Sequence, residues 1–193
     1  ITGEKIRKEL ISVKENKACG PDNIYSKILK ELSNELAIPL QIIFSRSFFY
    51  TEIPQDWKHA HVVPIFKGGN KTNPANYRPV SLTSLVSKIF EKLVKSAIQQ
   101  HLEGQNLLHN TQHGFRNGKS CLTNLLSFFE FATEQLDQGK TLTVAYIDFC
   151  KAFDKVPHRR LIGKLKQHGI DGLLLKWIDD WLTKRKQRVI LNG

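Results

Sequence analysis

An α+β fold is what the sequence predicts, on three observations. Several stretches keep an apolar period near four, residues 141–149 form one strongly β-prone run, and shorter runs of the same kind stand at 61–66 and 187–191. No tract of low complexity and no internal repeat interrupts them.

Ile6, Leu10, Ile11 and Val13 recur at helical spacing, and Cys19-Gly-Pro-Asp22 stops that helix by placing Gly and Pro where it would continue. A second helical region is expected from about Tyr25 to Tyr50. His61-Val-Val-Pro-Ile-Phe66 reads as a strand, and Pro64, which has no N–H, places it at an edge or a bulge. Gly68-Gly69-Asn70 then opens a loop. Leu85, Val86, Ile89, Phe90, Leu93, Val94, Ala97 and Ile98 mark an amphipathic scaffold helix. Ser120 is suited to cap a helix through Leu125, Leu126, Phe129 and Ala132. Thr141–Phe149, rich in Thr, Val, Tyr and Ile, is the strongest strand in the sequence. Pro157 fits the first turn of a helix ending near Gly169, residues 173–182 form another in which Trp177 and Trp181 lie one turn apart, and Gln187-Arg-Val-Ile-Leu191 reads as a strand. A lobe boundary is expected near Gly139, dividing 1–139 from 140–193.

With 193 residues, 40% hydrophobic and 24% charged, the chain can bury a real core, and disorder is not expected. Its 29 Lys+Arg against 18 Asp+Glu give +11, a balance that in a globular chain points to a polyanion such as nucleic acid. The cations cluster beside apolar runs: Lys67 and Lys71, Arg116 and Lys119, Arg159 and Arg160, and Lys184 to Arg188. Three distant cysteines, Cys19, Cys121 and Cys150, indicate neither a disulfide framework nor a zinc knuckle and fit a reducing intracellular compartment. No apolar run approaches the roughly 20 residues of a membrane span, and no signal-peptide pattern opens at Ile1, so secretion is not expected. With no Met at all, the chain is expected to start inside a longer reading frame or to be a processed piece.

Asp148 is the residue with the most chemistry to offer. On a strand it shares a face with Tyr146, Val144 and Leu142, opposite Ile147, Ala145 and Phe149, and a carboxylate at the end of such a strand needs a metal, a cation or solvent to meet it. Strand-terminal aspartates also cap helices and accept phosphoryl groups. No aspartate pair that would complete a metal site is read after Asp154. His59 with His61, and His109 with His113, have ligand-like spacings but lack Cys or carboxylate partners at zinc distances, and no metal role is expected of them.

Five ordered segments carry a resemblance: Ala18-Cys-Gly-Pro-Asp22; Trp57-Lys-His-Ala-His-Val-Val-Pro-Ile-Phe-Lys67; Asn76-Tyr-Arg-Pro-Val-Ser-Leu82; Gln112-His-Gly-Phe-Arg116 with Gly118-Lys-Ser120; and Tyr146-Ile-Asp-Phe-Cys-Lys-Ala-Phe-Asp154. Together they make the chain resemble the reverse transcriptase domain of non-LTR retrotransposons of the jockey and chicken-repeat type. That resemblance implies a right-hand polymerase fold, with fingers over 1–139 and the beginning of the palm over 140–193, truncated before the second metal-binding motif. It implies that Asp148 and the backbone carbonyl of Phe149 hold magnesium, two ions in the complete enzyme. It implies that Lys67 and Arg78 contact the triphosphate, that Lys151 and Ala152 lie along it, and that Phe153 is the steric gate against a ribose 2′-hydroxyl. Arg116 and Lys119 would touch template or brace the fingers. Asp154, held about 20 Å away on an extended strand, would brace the turn before Pro157.

The implied partners are an RNA template, a DNA primer and deoxynucleoside triphosphates, with no membrane and an oligomeric state left open; the implied compartment is the nucleus, the cytoplasm or both. The aromatic-Ala-Asp-Asp turn is expected beyond Gly193, so this polypeptide alone is expected to be inactive. A non-catalytic retroelement remnant binding RNA or a protein partner is the alternative. A phosphotransfer protein using Asp148 is weaker, because Cys150 stands where an Asp-x-Asp pattern would place its acid.

Overall fold

The computed structural model describes residues 1–191 and divides into two compact units. The first joins Ile1–Ser96 to the chain from His158 onward; the second is Ala97–Pro157.

In the first unit the expected helices form. α1 (Gly3–Ile11) buries Ile6 and Leu10, four residues apart and therefore on one face. The region from Tyr25 to Tyr50 is two helices rather than one: α2 (Ser26–Glu31) and α3 (Ser33–Tyr50) meet at Leu32, whose φ of −95° and ψ of 28° leave the helical basin. α3 carries Pro39 in its interior, which removes one rung of the ladder without ending the helix. α4 (Leu85–Gly104) buries Leu85, Val86, Ile89 and Phe90, the first half of its predicted apolar stripe. After α5 (Cys121–Asp137) in the second unit, α6 (His158–Gln167) follows Pro157, and α7 (Gly172–Leu182) returns to the first unit's core.

That core is a ring cluster. Phe44 of α3 stacks on Phe90 of α4 at 4.7 Å between centroids and 4° between planes. Trp57 meets both edge-on at 5.7 and 6.0 Å, and Trp177 of α7 closes on Phe90 at 4.9 Å. The Trp177 indole N–H donates to Ser47 Oγ at 3.1 Å, as a buried indole must find an acceptor. Trp181, one turn further along α7, is half-buried and donates to Glu91 Oε1 at 3.3 Å.

The sheet has the order β2-β1-β3. β1 (His59–Phe66) runs antiparallel to β2 (Tyr77–Thr83) and parallel to β3 (Lys186–Val189). Pro64 thus lies on the central strand, and the register explains how. Lys67 N–H donates to Asn76 O at 2.8 Å, so alternation makes Ile65–Arg78 a hydrogen-bonded pair and Pro64–Pro79 a non-bonded one, in which neither needs an N–H toward the other. On the opposite side β3 pairs only as far as Val62, with Ile190 N–H donating to Val62 O at 2.9 Å. Among the described residues, that side of β1 is an edge at Pro64.

Thr141–Phe149 does not form a strand. Strand propensity records how side chains fit a pleated, half-buried surface, and a strand exists only where a neighbour completes the ladder. Among the described residues none runs beside 141–149, and Tyr146 and Ile147 are 88% and 82% exposed rather than buried. Among the described residues no helix is long and apolar enough to cross a membrane.

Two substitutions test this packing. A Cβ at Gly20 would sit 2.5 Å from the carbonyl carbon of Thr83 and 2.6 Å from Ser84 N, so Gly20→Ala should lower urea stability by about 2 kcal/mol as the turn is forced off the sheet. Lys58 is 3% exposed and bonds Asp180 Oδ1 at 2.8 Å, while Asp180 Oδ2 accepts the Ile53 N–H at 3.0 Å. Asp180→Ala strands a buried ammonium and a backbone donor together and should cost about 3 kcal/mol; a loss below 0.5 kcal/mol, roughly the size of a surface substitution, would show that Lys58 finds water instead.

Candidate functional site

The residues with polymerase-like roles fall into two groups, one in each unit. In the first unit, Lys67 and Arg78 flank the β1–β2 hairpin, on the same sheet face by alternation, with Arg78 opposite Ile65. The loop between them is stiffened by its own side chains. Asn70 Oδ1 accepts from Thr72 N at 2.9 Å and Thr72 Oγ1 at 2.8 Å, Asn76 Nδ2 donates to Asn70 O at 2.9 Å, and the Tyr77 hydroxyl donates to Lys71 O at 2.9 Å. Gly69, at φ 86°, is required twice over, because a Cβ there would also lie 2.8 Å from Asn76 Nδ2. Both cations are exposed, and among the described residues neither has an acidic partner. Their charge is therefore available to an anion.

In the second unit, α5 begins with the expected cap at Ser120, as a full capping box: Thr123 N–H donates to Ser120 Oγ and Ser120 N–H to Thr123 Oγ1, at 3.2 and 2.8 Å. Thr123 Oγ1 also lies 2.8 Å from His113 Nδ1, which ties the Gln112–Arg116 segment to the helix start. Arg116 Nη1 donates to His109 O at 3.1 Å, so the guanidinium braces its own loop, and Lys119 is exposed. Phe115 adopts φ 60°, and its ring meets Phe153 at 6.2 Å and 86°, an edge-to-face contact. The loop around Gln112–Arg116 and the Asp148–Asp154 segment, far apart in sequence, are thereby brought together.

Phe153 is 79% exposed and is not a core residue. Asp148, Phe149, Lys151 and Ala152 are exposed as well, and residues 150–155 form a turn, with Lys155 N–H donating to Lys151 O at 3.1 Å and Lys151 itself at φ 52°. A non-glycine residue in that region is strained. The extended spacing expected between Asp148 and Asp154 does not apply, because the chain has turned before Asp154.

Sequence reading passed over one adjacent carboxylate pair, Asp179-Asp180. It lies inside α7, where Asp180 is occupied by Lys58 and the Ile53 N–H. No three His, Cys, Asp or Glu side chains gather at metal-binding distance among the described residues. The hard carboxylate of Asp148 suits a divalent ion, but one carboxylate is not a two-metal site.

Residues 67–193 match the family described as reverse transcriptase (RNA-dependent DNA polymerase). The chain is 30% identical over 165 residues to the probable RNA-directed DNA polymerase from transposon BS of Drosophila melanogaster, covering 85% of this chain and 18% of that protein. It is 30% identical over 164 residues to the corresponding protein of transposon X-element from the same fly, covering 84% and 18%. Over 194 aligned residues it is 27% identical to the RNA-directed DNA polymerase from the D. melanogaster mobile element jockey, covering 100% and 21%. The chain belongs to the reverse transcriptase family, among the polymerases of non-LTR retrotransposons. It spans about a fifth of the length of these curated relatives.

His113 gives the second unit a pH signature. Burial holds its imidazole below the ordinary value of 6.5, and the charges of Lys119 and Arg116 push the same way. A lowered imidazole contributes stability that is present above the unfolded value and lost as pH falls through the folded one. The urea midpoint should therefore drop between about pH 7.5 and pH 5.5, and less so in His113→Gln, which carries no titrating ring.

Proposed function

We propose that this chain supplies the fingers, residues 1–139, and the beginning of the palm, residues 140–193, of a right-hand RNA-directed DNA polymerase that adds deoxynucleotides to a primer on an RNA template. The family match running from Lys67 through the Asp148 segment carries this reading. In it Lys67 and Arg78, without an acidic partner among the described residues and on either side of a self-bonded loop, hold triphosphate oxygens, the Arg as a planar fork and the Lys as a point charge. The backbone of Lys151 and Ala152 lies along the triphosphate, and the Phe153 ring excludes a ribose 2′-hydroxyl. Its contact with Phe115 supports that role, since a ring braced edge-on is a firmer barrier than a free one. Arg116 and Lys119 brace the loop or meet the template.

Asp148 and the Phe149 carbonyl are the oxygen donors this chain offers to magnesium. When bound, a pair of such ions activates the primer hydroxyl and neutralises charge on the transferring phosphoryl. The other ligands must come from elsewhere in the polymerase, and so must the neighbouring strands that would order 141–149.

Primer extension on an RNA template with magnesium tests this. Residues 1–193 should give no extension, and the whole polymerase should extend the primer unless Asp148 is replaced by Asn. Phe153→Val in the whole polymerase should raise ribonucleotide incorporation relative to deoxynucleotide by about tenfold or more. Extension by the 193-residue chain, or unchanged sugar discrimination in the variant, would overturn the corresponding assignment.

A further inference from the structure

One face of the three-stranded sheet collects cations that, among the described residues, no acid answers. The parallel register sets Lys186 beside His59 and Arg188 beside His61, and side chains paired in register share a face. Along β1 the same alternation leads from His59 and His61 through Val63 and Ile65 to Lys67, and across the antiparallel pair to Arg78. Ala60 and Val62, on the other face, are buried. Where β3 meets β1 the surface forms an open groove of about 410 Å³ lined by the two histidines, Lys186, Arg188 and the Pro21 turn. Among the described residues Lys67, Arg78, Lys186 and Arg188 form no salt bridge.

We propose that this face is a docking track for the sugar–phosphate backbone of single-stranded RNA, with Lys186 and Arg188 as its phosphate contacts at the β3 edge and His59 and His61 as neighbouring hydrogen-bonding groups. The inference rests on the polymerase reading, which supplies a nucleic-acid partner. Shape selects the ligand. From His59 to Ile65, short of the Lys67 and Arg78 end that holds the triphosphate, the track is about 20 Å long at 3.3 Å per residue, an elongated array that suits a polymer better than a single phosphorylated headgroup. Across three strands it is about 10 Å wide, room for one sugar–phosphate backbone laid along the strands, as in the positively charged grooves that follow single strands. Contacts of this kind position a strand without reading its sequence.

Fluorescence anisotropy with a labelled oligouridylate, titrated at several salt concentrations, tests the track on the 193-residue chain. Lys186→Gln with Arg188→Gln should weaken binding and lower the slope of log K against log salt by about 1.4, at 0.7 per phosphate contact on a single strand. The control pair Lys27→Gln and Lys95→Gln removes the same charge from exposed helix positions and should leave the slope near that of the parent. Both pairs are compared with the parent by circular dichroism, and His61→Gln, a milder change in the same groove, should weaken binding in the same direction. Equal losses in the two charge pairs would overturn the track while leaving the polymerase reading intact. Absence of any RNA binding by the parent would overturn the track, and the polymerase reading would still stand or fall by primer extension. Equally tight binding of duplex RNA, or binding of phosphatidylserine vesicles that depends on Lys186 and Arg188 without RNA binding, would overturn the choice of ligand.

Discussion

The ring of Phe90 is the constraint on which the first unit depends. It is 1% exposed and touches Phe44, Trp57 and Trp177, so one side chain joins α3, the turn before β1, α4 and α7. An aromatic side chain buries 150–250 Å², about 4 to 6 kcal/mol of gross transfer free energy at 25 cal/mol per Å², and Phe90 is the ring that all three others meet. What lies next to the cluster is polar and is satisfied by it. Trp177 reaches Ser47, Trp181 reaches Glu91, and Asp180 one turn of α7 further on receives Lys58 and the Ile53 N–H. Because Lys58 immediately precedes β1, this arrangement sets where the sheet begins. The cationic face of that sheet is an indirect product of a hydrophobic contact.

Charge is handled in opposite ways inside and outside this unit. The buried Lys58 has an acid within 2.8 Å, whereas Lys67, Arg78, Lys186 and Arg188 have none among the described residues. Leaving four cations unanswered on one sheet face raises local repulsion, which is tolerable in water and becomes favourable when a polyanion arrives. The second unit shows the same separation with aromatic groups. Phe115 and Phe153 hold each other edge-on while remaining 76% and 79% exposed, a geometry that specifies a position without burying it.

Local signals in the sequence were legible and non-local ones were not. The four-residue period of α4, the Ser120 cap and the loop opened by Gly68-Gly69-Asn70 are written in residues near one another, and each appears where the pattern places it, whereas the returning strand β2 is not among the expected elements. Leu32, where α2 ends and α3 begins, carries no such mark, being neither Gly, Pro nor Asn. The pairing of β1 with β3 joins residues more than a hundred positions apart, and no spacing rule reaches that far. Residues 141–149 fail for a related reason, since Val and Tyr record a preference for a pleated surface and cannot supply the neighbouring strand. Of the candidate site, residue identities could be read directly. The contact of Phe115 with Phe153 could not, and neither could the engagement of Asp180, which as one half of an Asp-Asp pair looks available until its helix is packed.

The first unit is discontinuous: the chain leaves it at Ser96 and re-enters at His158. During synthesis, then, α1 to α4 and the β1–β2 hairpin emerge with Phe90 facing an empty place and Lys58 without its acid, and both wait until α7 has been made. At ribosomal rates of about 5–20 residues per second that interval lasts several seconds. Contacts spanning such separations are also the slow ones to form. A nascent chain interrupted in that window would leave the ring cluster open to chaperones and proteases, so the pace of translation across the second unit sets how long that exposure lasts.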